Sequence, residues 1–427
     1  MWRNRALITL WGGEFASRIG ISLFQVILLW YLLEITGSPG TTGLVTMLTY
    51  LPAVVVGLWA GVIVDRLDFR RVMQGANLVR IALAVAIPLL FMAGFLPVAM
   101  IAVAGFALSS ATAFFNPSRD AIIPLLARKR ELMAANSLVQ SAWQFSLVIG
   151  PVLFAATQPF MPTVFQFFGV GLAFAVSSLA LLGLGLRGRL TPKDAEQPAA
   201  DSLHAGPDAK NPAAGISTGG RTSFLAEFRQ GLAFLRAERR VWWIWVITML
   251  DNFFLMGPVF VGIPVYVKDY LGGTGSDYGL IESVYAGGMI VSTWLLARYG
   301  DRFDPFKVLF LAIIYDGLTY LPLLWVTTVE GTLLTIVIHS LGIPAITISR
   351  ITALHRIVPR GMQGRVFSYF NLAVDGMTAL SIGVVGIVLV WLPSNQLFAL
   401  IGLLAASTGV LGLLLPVFRR KGEVNPG

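Results

Sequence analysis

The chain of 427 residues is 56% hydrophobic and only 12% charged, with a mean hydropathy of +0.76, which excludes a soluble globular domain, where about 25% of residues are charged. Its apolar residues come in long runs, not in the short alternating segments of an outer-membrane barrel, so a helical membrane protein is expected. The absence of cysteine removes disulfides, thiolate metal sites and a cysteine nucleophile, and a net charge of +9 has to be interpreted from where the 31 Lys and Arg residues stand.

Runs of about 20 apolar residues, the length that crosses a hydrocarbon core, can be laid down twelve times. The first six spans are predicted at 7–35, 41–64, 72–94, 98–122, 133–157 and 161–186, with breaks such as TGSPGT and TQPFMPT. The second six are predicted at 241–267, 278–299, 306–327, 332–356, 366–392 and 396–418.

On this map one side of the membrane receives Arg3, Arg5, Arg66, Arg70, Arg71, the run Arg128 to Arg130, the long central loop, Arg298, Arg302, Lys307, Arg356, Arg360, Arg365 and the run Arg419 to Lys421. Arg119 is placed with them at the end of the fourth span, and the opposite side holds only Lys268. Basic residues mark the cytoplasmic side, so both termini are expected there, in a bacterial inner membrane. The same distribution makes the positive charge an orientation signal and argues against a nucleic-acid partner. The first span has no small-residue cleavage site, so no removable signal peptide is expected.

Residues 192–222 are rich in Pro, Ala, Gly and Ser without apolar periodicity, as in a flexible tether. They divide the chain into a bundle over 1–187, a linker over 188–240 and a second bundle over 241–427. After the tether, Phe224, Leu225, Phe228, Leu232 and Leu235 recur at helical spacing among charges, which predicts an amphipathic helix lying on the inner membrane surface. The halves also repeat. At an offset of 236, GLVT at Gly43 matches GLIE at Gly279 and DRLDFRRVM at Asp65 matches DRFDPFKVL at Asp301. At an offset of 231, Ser118-Arg119 matches Ser349-Arg350 and Ser137 matches Ser368. Two six-helix bundles related by a pseudo-two-fold axis are therefore expected.

The segment Gly61-Val-Ile-Val-Asp65-Arg66-Leu-Asp68-Phe-Arg70-Arg71, between the second and third spans, resembles the GxxxDRxxRR loop motif of the major facilitator superfamily. FFNPSRDAIIPLL (Phe114 to Leu126) and AANSL (Ala134 to Leu138) are similar to the branch of that superfamily with macrolide efflux pumps and the enterobactin exporter. The loop motif here carries one extra residue, with Asp68 near the usual glycine and Phe69 interrupting the basic cluster. Gly105 stands where drug:proton antiporters often carry an arginine. Gly150-Pro151 is similar to the antiporter glycine-proline motif, with Phe154-Ala155 in place of the usual glycine pair. The resemblance implies the all-α major facilitator fold, monomeric function, no cofactor, and a cytoplasmic gate built from Gly61, Asp65, Arg66, Arg70, Arg71, Asp301 and Arg302. For the arginines, plain positive-inside anchoring stands beside that reading, but it does not account for Asp65 or Asp301.

Ionisable residues inside a span are functional candidates because burying them is expensive. Glu14 leads a polar face of the first span with Ser17, Arg18, Ser22 and Gln25. It is read either as a protonation or cation site or as an internal salt bridge with Arg18. Asp251, beside Asn252 in the seventh span, stands 237 residues after Glu14, within one residue of the repeat register. Ser368, Asn371, Asp375 and Thr378 form a stripe on the eleventh span, and Ser137, Gln140, Ser141 and Gln144 match it on the fifth. Each stripe faces either the cavity or a neighbouring helix. Arg80 and Asp316, also in register, are read as pairing with nearby loops, and Glu282 and His339 as outer-end residues of the eighth and tenth spans. Phe114, Phe115, Phe253 and Phe254 are read as packing before pocket lining.

With three histidines, no metal-ligand spacing and no Gly-rich phosphate loop, a membrane enzyme and an ATP-driven pump are disfavoured. The leading expectation is a proton-coupled exporter of a small amphiphilic compound such as a drug, siderophore or metabolite, working by alternating access between two bundles. Lysophospholipid or other lipid translocation, uncoupled transport and a non-transporting membrane sensor are the alternatives.

Overall fold

The computed structural model describes residues 5–64, 66–126, 131–183 and 224–419. In the first half α1 is Arg5–Thr36, α2 Pro39–Val55, α3 Gly57–Val64, α4 Phe69–Met92, α5 Val98–Leu126, α6 Leu132–Thr157 and α7 Phe167–Gly183. In the second, α8 is Phe224–Ala237, α9 Arg239–Gly257, α10 Gly275–Tyr299, α11 Pro305–Leu318, α12 Val329–Ser340, α13 Ile343–Ile357, α14 Arg360–Val388 and α15 Ser394–Leu414, with one last turn at Pro416–Arg419. Among the described residues, eleven helical segments are long and apolar enough to cross a membrane. The second predicted span is the shorter one, broken at Val56 where Gly57 follows, between α2 and α3.

Local chemistry sets the helix starts. Asp68 accepts from the Arg71 backbone N–H and caps α4, and Asp304 accepts from the Phe306 and Lys307 N–H groups and caps α11. These are the two aspartates that the 236-residue repeat superposes, each worth about 1 kcal/mol as a cap. Ser38 caps α2 after Gly37 at φ +56°, and Thr274 with Asp277 forms a capping box at α10 after Gly272 at φ +65°. Both turns need a left-handed residue, which glycine adopts without strain.

The seventh span is irregular. After α9 it passes through wide turns at Pro258–Gly262 and Tyr266–Tyr270, with Pro258 and Pro264 each lacking a backbone donor. Just before this, the Ser381 hydroxyl of α14 is inserted into α9, donating to the Phe253 carbonyl at 2.5 Å and accepting from the Gly257 N–H at 2.7 Å. A side chain placed in the ladder in this way marks a bend.

Two bundles result. α1 packs on α6 and α7, and α4 on α5 and α7; in the other half α9 packs on α14 and α15, and α11 on α13 and α15. The bundles meet where α2 crosses α14 and α6 crosses α10. A Cβ on Gly43 would stand 2.7 Å from the Gly386 Cα, and one on Gly279 would stand 2.8 Å from the Pro151 carbonyl oxygen. The repeat pair Gly43 and Gly279 thus serves both crossings, where only glycine lets the backbones approach. Trp30 stacks on Tyr278, the Ser276 hydroxyl donates to the Ala155 carbonyl, and Lys268 donates to the Leu33 carbonyl. All these contacts lie at the ends of the helices away from the start of α1, so the seam is closed on that face.

α8 forms where the amphipathic spacing predicts a helix. Its apolar side is packed against the bundle: Leu235 is buried with Val241, Val366 and Tyr369, Gly231 sits against Tyr369, and Arg365 donates to Gln230. Of the apolar stripe, Leu232 and Leu235 pack with residues of α9 and α14. The tether at 192–222 lies outside the described residues.

Candidate transport site

A cavity of about 460 Å³ opens among α1, α2 and α5 and reaches across to α14. Its polar wall is Gln25, Tyr50, Asn116, Asp120 and Asp375, and its apolar wall includes Ile21, Phe24 and Leu108. Gln25 donates to the Tyr50 hydroxyl at 3.4 Å. Of the cavity residues expected from sequence, Asp375 is on this wall; Glu14, Arg18, Gln144, Asp251, Asn252 and Asn371 are set back from it.

Behind the cavity lies a charge network. Glu14 Oε1 accepts from Arg18 Nε at 2.7 Å and from Arg119 Nη1 at 2.6 Å, and only 1% of the Glu14 side chain is exposed. Asn116 Oδ1 receives both arginines, at 3.5 and 3.3 Å, and Arg119 also pairs with Asp120 at 2.8 Å. Arg119, expected at the end of the fourth span, lies within the last two turns of α5, where it is buried. The segment NPSRD was noticed only as a family mark; it supplies Asn116, Arg119 and Asp120 to one side of α5. One turn deeper, Arg80 is fully buried, donates to Ser17 and Asn77 at 3.2 Å, and lies over the Phe115 ring at 4.4 Å and near the Phe174 ring at 5.3 Å. Its partners come from neighbouring helices and, for Asn77, from α4 itself, not from the expected loops. Phe115 is occupied under Arg80, and Phe253 and Phe254 pair with each other.

The second bundle repeats the motif loosely. Asp251 is 5% exposed, Arg350 of α13 lies within its electrostatic reach, and its Oδ1 has no hydrogen-bond partner. Asn252 is turned back to the Thr248 carbonyl at 2.8 Å. The offset of 231 that pairs Arg119 with Arg350 was the signal for this arrangement. Gln144 is half-buried on α6 and Asn371 exposed on α14. Asp316 and His339 form a separate buried pair at 3.5 Å, so Asp316, like Arg80, is held inside its bundle.

At the other end, Gly61 falls on α3 and Asp65 lies outside the described residues. Arg66 and Arg71 are exposed, and Arg70 donates to the Leu182 carbonyl at the end of α7 at 3.0 Å. Asp301 belongs to the turn at Gly300–Arg302, and Arg302 lies 5.6 Å from the Tyr299 ring. A Cβ on Gly150 would stand 2.7 Å from the Ser22 Cβ, so Gly150 packs α6 onto α1, and Pro151 follows at the α10 crossing.

Comparison with known proteins agrees with this architecture. The chain matches the Major Facilitator Superfamily over residues 10–382 and 249–426. It is 26% identical over 295 residues to macrolide efflux protein A of Streptococcus pyogenes, across 69% of this chain and 66% of that protein, a little under two thirds of its length. Among solved structures it resembles a bacterial homologue of the iron transporter ferroportin in an inward-facing state, with a TM-score of 0.71, 16% identity and coverage of 97% and 98% of the two chains. It also resembles a peptide transporter, POT, in complex with sulfate, with a TM-score of 0.70, 16% identity and coverage of 96% and 94%. The fold is a multi-pass helical membrane architecture. The chain belongs to the Major Facilitator Superfamily.

Proposed function

We propose that the protein is a secondary active exporter carrying a small, amphiphilic, cationic compound of macrolide type out of the cytoplasm in exchange for protons, as a monomer in a bacterial inner membrane with both termini cytoplasmic. The observation that carries this reading is the cavity that sets the carboxylates of Asp120 and Asp375 beside Phe24 and Tyr50, behind a seam closed on the face away from the start of α1. Carboxylates and aromatic faces together suit a cation with an apolar body. Similarity to macrolide efflux protein A supports export and the macrolide class. The excess of basic residues on the side where the chain begins supports its cytoplasmic placement.

For proton coupling, Asp251 fits better than Glu14. Protonating Glu14 would strip two guanidinium groups of their shared anion, whereas Asp251 has a free Oδ1 and one arginine within reach. Proton arrival there would loosen its hold on Arg350 and bias the second bundle towards the opposite state. Arg66, Arg70, Arg71, Asp301 and Arg302 would close the cytoplasmic face in that state, with Asp65.

The test uses purified protein in proteoliposomes carrying an internal pH dye, challenged with erythromycin, a lipophilic cation, a siderophore and lysophosphatidylcholine. Proton movement on adding erythromycin, abolished in Asp251→Asn, is expected. Movement of the lysolipid alone, without proton flux, would overturn the proposal in favour of lipid translocation.

A further inference from the structure

We propose that His339 is a proton-binding residue of the second bundle, taking its proton at Nε2 with Asp316 as counter-ion and Glu282 as the group that exchanges the proton with it. The inference rests on the proton-coupled reading above and deepens it.

The hydrogen bonds fix the tautomer. The Thr319 hydroxyl donates its one proton to the Asp316 main-chain carbonyl at 2.8 Å. Its oxygen, 2.9 Å from His339 Nδ1, is therefore left to accept, so Nδ1 carries the hydrogen and Nε2 presents a lone pair. His339 is 1% exposed and Nε2 has no partner. The ring lines a small pocket of about 10 Å³ together with Glu282, Tyr285 and Tyr320, a volume on the order of one water. A histidine serving only to hold α12 in place would have both nitrogens satisfied.

A proton passing from the Glu282 carboxyl to Nε2 leaves a carboxylate on Glu282 and an imidazolium on His339, with nothing else consumed. The imidazolium then has Asp316 Oδ1 at 3.5 Å from Nδ1, and that oxygen has no other hydrogen-bond partner. A buried charge is thus formed beside its counter-ion. Glu282 and Tyr285 from α10 and Tyr320 after α11 line the site, and Asp251 from α9 and Tyr315 from α11 lie within electrostatic reach of Asp316. Tyr320 lies 4.1 Å from the imidazole, ring to ring. Asp251, within reach of Asp316, connects the site to the proposed coupling carboxylate.

The chain has three histidines, so His204→Gln with His355→Gln leaves His339 as the only imidazole. Nitrogen NMR of the full-length double variant, labelled at histidine and titrated between about pH 5 and pH 9, should show the Nδ1–H tautomer giving way to the doubly protonated ring. Adding Asp316→Asn should lower the midpoint by about one pH unit or more. An Nε2–H tautomer, a ring that stays neutral throughout, or a midpoint that Asp316→Asn leaves in place would each overturn the proposal. In proteoliposomes, His339→Gln should keep erythromycin counterflow and lose erythromycin-driven proton release. If wild type and His339→Gln release protons equally, this inference fails and coupling stands; if wild type releases none, the coupling reading itself fails.

Discussion

Glu14 Oε1 stands 2.6 Å from Nη1 of Arg119, across 105 residues of sequence, in the interior of the first bundle. The same oxygen holds Arg18 on its own helix. α1 and α5 are therefore joined by an anion shared between two cations, with Asn116 bracing both. Removing one partner of such a pair costs about 3–5 kcal/mol because the other is left buried and uncompensated. Glu14→Ala should lower the detergent Tm markedly, Glu14→Gln less so. The double variant Glu14→Gln with Arg119→Gln should recover part of the loss, and strict additivity of the two single losses in Tm would contradict the pairing.

Gly43 and Gly386 make the seam between α2 and α14 a backbone-to-backbone contact. Gly386→Val introduces bulk where a Cβ alone would already stand 2.7 Å from the Gly43 Cα. The closed face should then be unable to form, and the population should shift towards the state open on that side. The chain contains no cysteine, so Met47→Cys, at the seam against Gly383, is a unique label site. A membrane-impermeant maleimide added outside should react faster in the Gly386→Val background; equal rates would show that the seam tolerates the bulk.

How far the sequence reached depends on whether a property is local or arises between helices. The spans, their order and the repeat were legible because apolar length and capping chemistry are written along the chain, as Asp68 and Asp304 demonstrate. Arg119 was read only as a basic residue at the end of the fourth span, whereas α5 turns the NPSRD side chains towards α1 and the cavity. Likewise the amphipathic stripe of α8 did not show that its last two turns, at Gly231 and Leu235, pack with Tyr369. Gly43 and Gly279 were visible as repeat markers, yet the helices they touch, α14 and α6, follow only from how the bundles meet.

Among the described residues, Asp375 is the one that the second bundle contributes to the wall of the cavity, which it shares with Asp120, Gln25 and Tyr50 of the first. A cation held between the bundles would lose one of two carboxylates in Asp375→Asn. A loss of about tenfold in affinity, or ~1.4 kcal/mol, is expected for a cationic cargo. A neutral analogue of the same shape should be little affected. Equilibrium binding of a matched pair of amine and amide probes would check this, and an equal loss for both would mean that Asp375 acts through structure and not through charge.

Arg80 is fully buried, its guanidinium over Phe115 at 4.4 Å and near Phe174 at 5.3 Å while Nη1 reaches Ser17 and Asn77. Planarity is what this site uses: a flat cation can lie against aromatic faces and still donate from its edge, whereas an ammonium group is a strongly hydrated point charge with no such face. Arg80→Lys keeps the charge and should nevertheless destabilise the first bundle by roughly 2 kcal/mol, since desolvation remains and the stacked contacts go. Arg80→Met, which fills much of the same volume without a charge to bury, should be the milder change. Thermal unfolding of the purified variants would decide: if Lys is tolerated better than Met, charge and not the planar stack is what the site requires.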